Sequence, residues 1–153
     1  MITTEGPKLI EYNIRFGDPD SQVVLLRATS DMTSLLAEAA AGRIETQPSF
    51  ADDAAVLVVA LAEGYPGPTR TGDPIEGLEA ARAVEGVEVL MAGVALGEDG
   101  RLVTAGGRVL DIVGRGPTVE EARRRAYEAT AELSWPGLHH RTDIATENVE
   151  VPR

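Results

Sequence analysis

From Ile10 to Phe16 apolar and polar residues alternate without a break. Ile10, Tyr12, Ile14 and Phe16 fall in one register, and Glu11, Asn13 and Arg15 in the other. Successive side chains of a strand point to opposite faces, so the pattern predicts a strand with one apolar face. Its second face would carry a carboxylate, an amide and a guanidinium in a row. Gly17-Asp18-Pro19-Asp20 reads as a turn closing that row. Ser21 to Thr29 is a continuous apolar run that leaves short helix and strand both open. Ser30 or Asp31 then offers an N-cap for a helix over Met32–Ala41, with Gly42 as its stop. Arg43 to Asp52 is polar, contains Pro48 and reads as a linker.

The texture changes at Asp53. Ala54 to Ala62 is rich in Val and Ala, the mark of a buried strand. Gly64-Tyr65-Pro66-Gly67-Pro68 is a breaker cluster, and regularly punctuated strand candidates follow it. They are Pro74–Gly77, Val87–Ala95, Arg101–Thr104 and Arg108–Gly114, with a hairpin turn at Gly97–Gly100. Thr118-Val-Glu-Glu121 has the form of a capping box, with Glu121 expected to reach back to Thr118. Val119, Ala122, Ala126, Ala129 and Leu133 recur at helical spacing behind it. Glu120–Arg124 and Glu121–Arg125 are candidate ion pairs one turn apart. Trp135-Pro136-Gly137 ends that helix, and the last eight residues are expected to fray.

Residues 1–47 therefore read as the end of one α/β domain and 48–153 as a compact α+β domain. At 153 residues the chain can bury a core, and with 4% aromatics that core must be aliphatic. The absence of cysteine excludes disulfides and thiolate metal sites and fits a reducing cytoplasm. A formal net charge of −11 disfavours nucleic acid and anionic membranes as partners. No apolar run is long enough to span a bilayer, and no signal peptide pattern stands at the start. A local Arg and a metal ion can still reverse the field within one cleft, so an anionic substrate stays open.

A carboxylate and an amide oxygen two residues apart, as in Glu11 and Asn13, can share a hard cation such as Mg2+. Arg15 beside them can hold an anion by its fork. The plain alternative is an amphipathic strand with a wet face, against which stand two details. Asn is depleted inside strands, and the turn sets Asp18 and Asp20 at the end of the same face. Gly106, Gly107 and Arg108 could form a backbone nest and fork for an anion, or simply a turn between strands. Gly64–Gly67 reads as a rigid exit loop or a hinged lid. His139-His140 with Asp143 matches no zinc spacing and reads as a surface pair. Arg123-Arg124-Arg125 reads as a solvated helix face.

Arg15-Phe16-Gly17-Asp18-Pro19-Asp20 is similar to the RFGDPE signature of the phosphoribosylamine–glycine ligases, also called glycinamide ribonucleotide synthetases. These are ATP-grasp ligases of purine synthesis. The resemblance runs from about Thr3 to Ala145. It is supported by Gly64-Tyr-Pro-Gly67, Thr71-Gly-Asp73, Ala92-Gly93, Thr104-Ala-Gly-Gly-Arg-Val-Leu110, Glu121-Ala122, Ala126-Tyr127 and Arg141-Thr-Asp-Ile144. The chain departs at Asp20, where Glu is usual, and at Ser21, where Thr is common.

The resemblance implies an α+β fold: the terminal strand and helices of an ATP-grasp domain, then a small antiparallel, barrel-sandwich-like β domain with one or two packed helices. It implies Glu11 and Asn13 as ligands for Mg2+ or Mn2+, and Arg15 at the phosphoryl-transfer centre. Asp18, Asp20, Gly106, Gly107 and Arg108 are the candidate substrate or phosphate loops. The implied reaction joins glycine to 5-phosphoribosylamine through glycyl phosphate at the expense of ATP. Met1-Ile2-Thr3 looks like an internal stretch of the family, so the chain is expected to match the last third of a ligase. Its partner would then be the upstream ATP-grasp portion, and the lone chain is expected to be inactive. Two other readings stay open: a non-catalytic module that dimerises or binds a partner through an exposed strand edge, and a piece of another ATP-grasp ligase.

Overall fold

The computed structural model describes residues 1–146, so the expected fraying of the last eight residues lies almost wholly outside the described part. The chain opens with a minimal hairpin, β1 (Ile2–Thr3) and β2 (Gly6–Pro7). Two helices follow, α1 (Asp20–Arg27) and α2 (Met32–Ala40). Asp31 caps α2, accepting from the Thr33 and Ser34 amides at 2.9 and 3.2 Å. Gly42, at φ +77°, follows the helix end, where a left-handed residue closes the last turn.

The remaining elements are β3 (Ala54–Leu61), α3 (Leu78–Ala83), β4 (Val87–Met91), β5 (Val94–Leu96), β6 (Leu102–Thr104), β7 (Arg108–Gly116) and α4 (Val119–Glu132). β7 lies between β3 and β4 in an antiparallel sheet, and β5 and β6 form a separate hairpin. Register puts Val58, Ile112 and Val89 side by side on one face, and Val59, Asp111 and Leu90 on the other. The first face packs with α4 and α3: Ala60, Ala81, Val89, Leu110, Ile112, Ala129, Leu133 and Trp135 form one buried cluster. Gly114 and Gly116 let α4 approach, because a Cβ on Gly114 would run into the Ala122 carbonyl and the Ala126 amide. The core is aliphatic, as the composition requires. No helix among the described residues is long and apolar enough to cross a membrane.

Several elements differ from expectation. Ile10–Phe16 forms no strand, and a bend falls at Arg15. A strand needs a hydrogen-bonding neighbour, and no described residue supplies one. Val87–Ala95 splits into β4 and β5 because the chain turns at Ala92-Gly93. There Gly93 donates to the Arg108 carbonyl at 2.8 Å and its Cα abuts Gly106. Pro74–Gly77 makes single bridges to Val103 and Ser134 rather than a strand. Thr118 does cap α4, through the Glu121 amide at 3.2 Å, but the Glu121 carboxylate does not reach back. It pairs with Arg124 and Arg125, both at 2.8 Å. Arg124 pairs with Glu121 and Glu128, not with Glu120. Charge-assisted bonds to guanidinium groups outcompete one to a neutral amide.

Candidate functional site

The side of the sheet away from α4 is where the two halves of the chain meet. Among its buried residues Asp111 stands out, a lone acid within the run Val109–Val113 on the central strand. It is 2% exposed. A buried carboxylate must be bonded or neutralised. One oxygen accepts from Gln22 Nε2 of α1 at 3.0 Å, while Oδ1 has no partner among the described residues. The second hydrogen of that amide goes to Asp18 Oδ1 at 2.7 Å, so Gln22 bridges two carboxylates. Asp18 in turn accepts from Arg108 Nη1, through Oδ2 at 2.9 Å and its own carbonyl at 2.8 Å. Arg108 Nε donates to the Tyr65 hydroxyl at 3.1 Å, and its guanidinium lies 5.9 Å from the Tyr65 ring centre. The result is one polar chain, Asp111–Gln22–Asp18–Arg108–Tyr65, drawn from four segments.

Burial pushes the Asp111 carboxyl above the ordinary carboxylate range, and the Asp18 charge adds to it. Arg108 is held more firmly charged, first by the Tyr65 hydroxyl and then by Asp18. Gly107 fits the network by necessity, because a Cβ there would strike the Tyr65 ring. A second tether fixes the far end of α1. Arg27 donates to the Ala51 carbonyl at 2.7 Å, and Asp53 pairs with Arg115 at 2.7 Å and with Arg27 at 3.7 Å. The Arg115 bond holds the Asp53 carboxyl below its usual range. α1 itself buries no residue, so polar clasps at its two ends hold it to the sheet.

The candidates named from sequence thus divide. Asp18, Gly107 and Arg108 come together across 90 residues of chain, with Gly106 packed on Gly93 beside them. Asp20 opens α1 with its carboxylate against Gly17. Glu11, Asn13 and Arg15 stay exposed. Arg15 donates only to the neighbouring Phe16 carbonyl, at 2.9 Å. The guanidinium expected to hold an anion at Arg108 is already occupied by Asp18 and Tyr65, so an anion there must compete with a carboxylate. Sequence reasoning missed Gln22, Tyr65 and Asp111 as a set. The usable signal was a single acid inside an apolar strand.

A cavity of about 280 Å3 opens beside the network, lined by Pro19, Leu57, Val59, Tyr65, Arg108 and Ile144. A wider depression of about 760 Å3 lies at the other end of β7, but its arginines 115 and 125 are bonded to Asp53 and Glu121. No group of three or more His, Asp or Glu among the described residues is placed to hold a metal. His140 packs against Tyr127 with ring centres 5.8 Å apart, and Asp143 pairs with Arg141. That corner is structural: Tyr127 and Arg123 hold the backbone of residues 141–144 through the carbonyls of Arg141, Thr142 and Ile144.

Sheet, helix and clasps define a small α+β domain with a preceding helical segment fastened to its open face. Residues 55–147 match the family model "Phosphoribosylglycinamide synthetase, C domain", and the chain belongs to that family. Over 151 residues the chain is 46% identical to the phosphoribosylamine–glycine ligase of Brucella melitensis, covering 98% of this chain and 35% of that protein. It is 44% identical over 140 residues to the chloroplastic phosphoribosylamine–glycine ligase of Arabidopsis thaliana, covering 90% of this chain and 26% of that one. The crystal structure of phosphoribosylamine–glycine ligase from Thermotoga maritima superposes with a TM-score of 0.76 at 36% identity, over 95% of this chain and 35% of that chain. The chain spans about a third of the length of these bacterial relatives. The family model begins at residue 55, so the Glu11-Asn13-Arg15 row lies outside it.

Proposed function

We propose that this chain is the C-terminal part of a phosphoribosylamine–glycine ligase and acts only with an ATP-grasp portion like that of its relatives. The observation that carries the reading is 46% identity over 98% of the chain to such a ligase. The assembled enzyme would form glycinamide ribonucleotide from 5-phosphoribosylamine and glycine, a step of purine synthesis, through glycyl phosphate and with ATP as co-substrate. Residues 1–47 would complete the ATP-grasp domain, and 48–153 would form the following domain, with β3, β7 and the β5–β6 hairpin in a barrel-sandwich-like arrangement.

Glu11 and Asn13 would supply two oxygen ligands. Neither side chain makes a hydrogen bond among the described residues, so both stay free for a hard cation. As residues i and i+2 they would share one side once the segment is drawn into a sheet. Two donors leave most of an octahedral shell to nucleotide phosphates and water, which suits Mg2+ or Mn2+. Such an ion neutralises charge on the transferring phosphoryl group. Arg15 would hold the carboxylate or acyl phosphate, stabilising charge as it develops. Asp18, Asp20, Gly106, Gly107 and Arg108 would shape the substrate side, with the Asp18–Arg108 bond setting one loop against the other.

The test is complementation. The 153-residue chain is mixed with the separately folded upstream two thirds of the Brucella relative, and glycinamide ribonucleotide formation is measured. Activity is expected from the mixture and from neither piece alone, and Glu11→Ala should abolish it. An inactive mixture of two folded pieces that bind each other would overturn the reading. A non-catalytic docking module is the second reading, favoured by the exposure of Leu9, Ile10, Tyr12, Ile14 and Phe16.

A further inference from the structure

Asp111 sits where the sheet asks for an apolar residue. Register places it between Val59 of β3 and Leu90 of β4, on the face away from α4. A carboxylate there is disfavoured by the strand and costly to bury. Among the described residues one donor meets it, the Gln22 amide at 3.0 Å. A valine or isoleucine, like its neighbours in β7, would serve the packing better. An acid placed at such a cost and bonded once points to what that one bond holds.

β7 is shaped to bring a second charged residue onto the same face. Its pairing with β3 shifts between Ala60 and Leu61: Ala60 lies opposite Leu110, but Leu61 lies opposite Arg108. Val109 is the extra residue of a bulge and is buried in the core beside Leu110. In an unbroken strand Arg108 and Asp111, an odd number of residues apart, would point to opposite faces. The bulge re-aims Arg108. Both residues then reach the turn and helix that begin at Asp18, Asp111 through Gln22 and Arg108 through Asp18 itself.

Between these two anchors the geometry is closed. An amide nitrogen carries two hydrogens, and Gln22 gives one to Asp111 and the other to Asp18 Oδ1 at 2.7 Å. Asp18 turns its other oxygen to Arg108 Nη1 at 2.9 Å. Without the first bond, the long and rotamer-rich Gln22 side chain no longer fixes which way the Asp18 carboxylate turns. We propose that Asp111 is a positioning residue: through Gln22 it orients the Asp18 carboxylate on Arg108, and so sets the turn at residues 17–20 against the loop at residues 105–108. The consequence for catalysis rests on the ligase reading, in which these two loops shape the substrate side. The placement itself does not.

The test compares the isotope-labelled 153-residue chain with Asp111→Val, Gln22→Ala and Asp111→Asn. NMR measures solvent exchange of the Arg108 Nε–H. The Arg115 Nε–H, bonded to Asp53 at 2.7 Å in the other clasp, is the internal reference. In Asp111→Val and Gln22→Ala the Arg108 proton should exchange about fivefold faster or more, the scale of one lost hydrogen bond, while Arg115 keeps the parent rate. Asp111→Asn still offers Gln22 an acceptor and should restore the parent rate at Arg108. A role in stability alone would speed both arginines together. That outcome, or an unchanged Arg108 in Asp111→Val, would overturn the proposal. In the active mixture with the upstream portion, Asp111→Val should raise the KM for 5-phosphoribosylamine by a similar factor and leave that for ATP where it was. An active mixture whose substrate KM does not move also overturns the proposal. An inactive mixture in which the Arg108 exchange still responds supports the placement and counts against the ligase reading alone.

Discussion

Residues 9–16 and β3 carry similar amounts of apolar side chain, yet they end in opposite environments. Val56, Val58 and Ala60 are buried, while Ile10, Tyr12, Ile14 and Phe16 stand in water. The difference is supply of partners. β3 finds β7 beside it and α4 across it, so its hydrogen bonds and its apolar face are both satisfied within the chain. The earlier segment has a face of equal quality and nothing described to lay it on. Apolar periodicity reports which side of a segment seeks burial, and is silent on which chain provides it. α1 and α2 stand between these extremes: neither buries a residue fully, and α1 joins half-buried Val23 and Leu26 to polar bonds at its two ends.

The largest effect should come from exploiting that contrast directly. Ile112 is fully buried between β3, β4 and α4, and Ile112→Ala leaves a cavity in a close-packed site. It should destabilise the chain by about 2–5 kcal/mol. Ile14→Ala removes the same atoms from a position already in water and should change stability of the monomer by no more than about 0.5 kcal/mol. Urea unfolding followed by Trp135, the single tryptophan, measures both. Equal losses from the two substitutions would mean that residues 9–16 pack on the core in solution.

Gly114→Ala probes a close backbone contact on the well-packed side. The added methyl meets backbone of α4, which cannot rotate away as a side chain can. A loss of about 1–3 kcal/mol is expected. The complementary change Gly42→Ala adds a methyl with nothing near it, so its cost should come only from the left-handed backbone. Thermal unfolding of both variants separates crowding from backbone strain.

How much of this was written in the sequence depends on range. β3, β7, α2 and α4 were legible because their signals are local: apolar runs, period, and caps at Asp31 and Thr118. α3 escaped notice because Leu78–Ala83 is six residues long, half of them alanine, too short for periodicity to register. The strand expected at Ile10–Phe16 failed for the reason above, since its partner is a tertiary fact. Asp18 and Arg108 were each singled out for other reasons. Their mutual contact, and the bridging by Gln22, depends on α1 meeting the middle of β7 some 90 residues later in the chain. No local pattern encodes such a meeting. Only Asp111, an acid among Val109, Leu110, Ile112 and Val113, marked in advance where a polar segment had to arrive.

That acid gives the smallest and most specific test, because it asks whether the clasp between the two regions stabilises the fold or only joins them. Burial raises the Asp111 carboxyl above its ordinary value and the Asp18 charge raises it further, while Gln22 and Arg108 pull it back. An acid held above its unfolded value binds its proton more tightly in the folded chain. Stability therefore falls as pH rises from the unfolded Asp value, about 3.9, through the folded one, and the cost is then constant. Asp111→Asn deletes that titration. Its amide oxygen can still accept from Gln22, and no charge is left beside Asp18. The variant should exceed the parent in stability near neutral pH, on the order of 1 kcal/mol, the scale of one poorly satisfied buried polar group. The advantage should shrink as pH falls below about 4, where the parent carboxyl becomes protonated in both states. Urea midpoints of the two proteins across that range decide the matter. A variant weaker than its parent at neutral pH would mean that the charge on Asp111, through Gln22 and Arg108, is what holds α1 to the sheet.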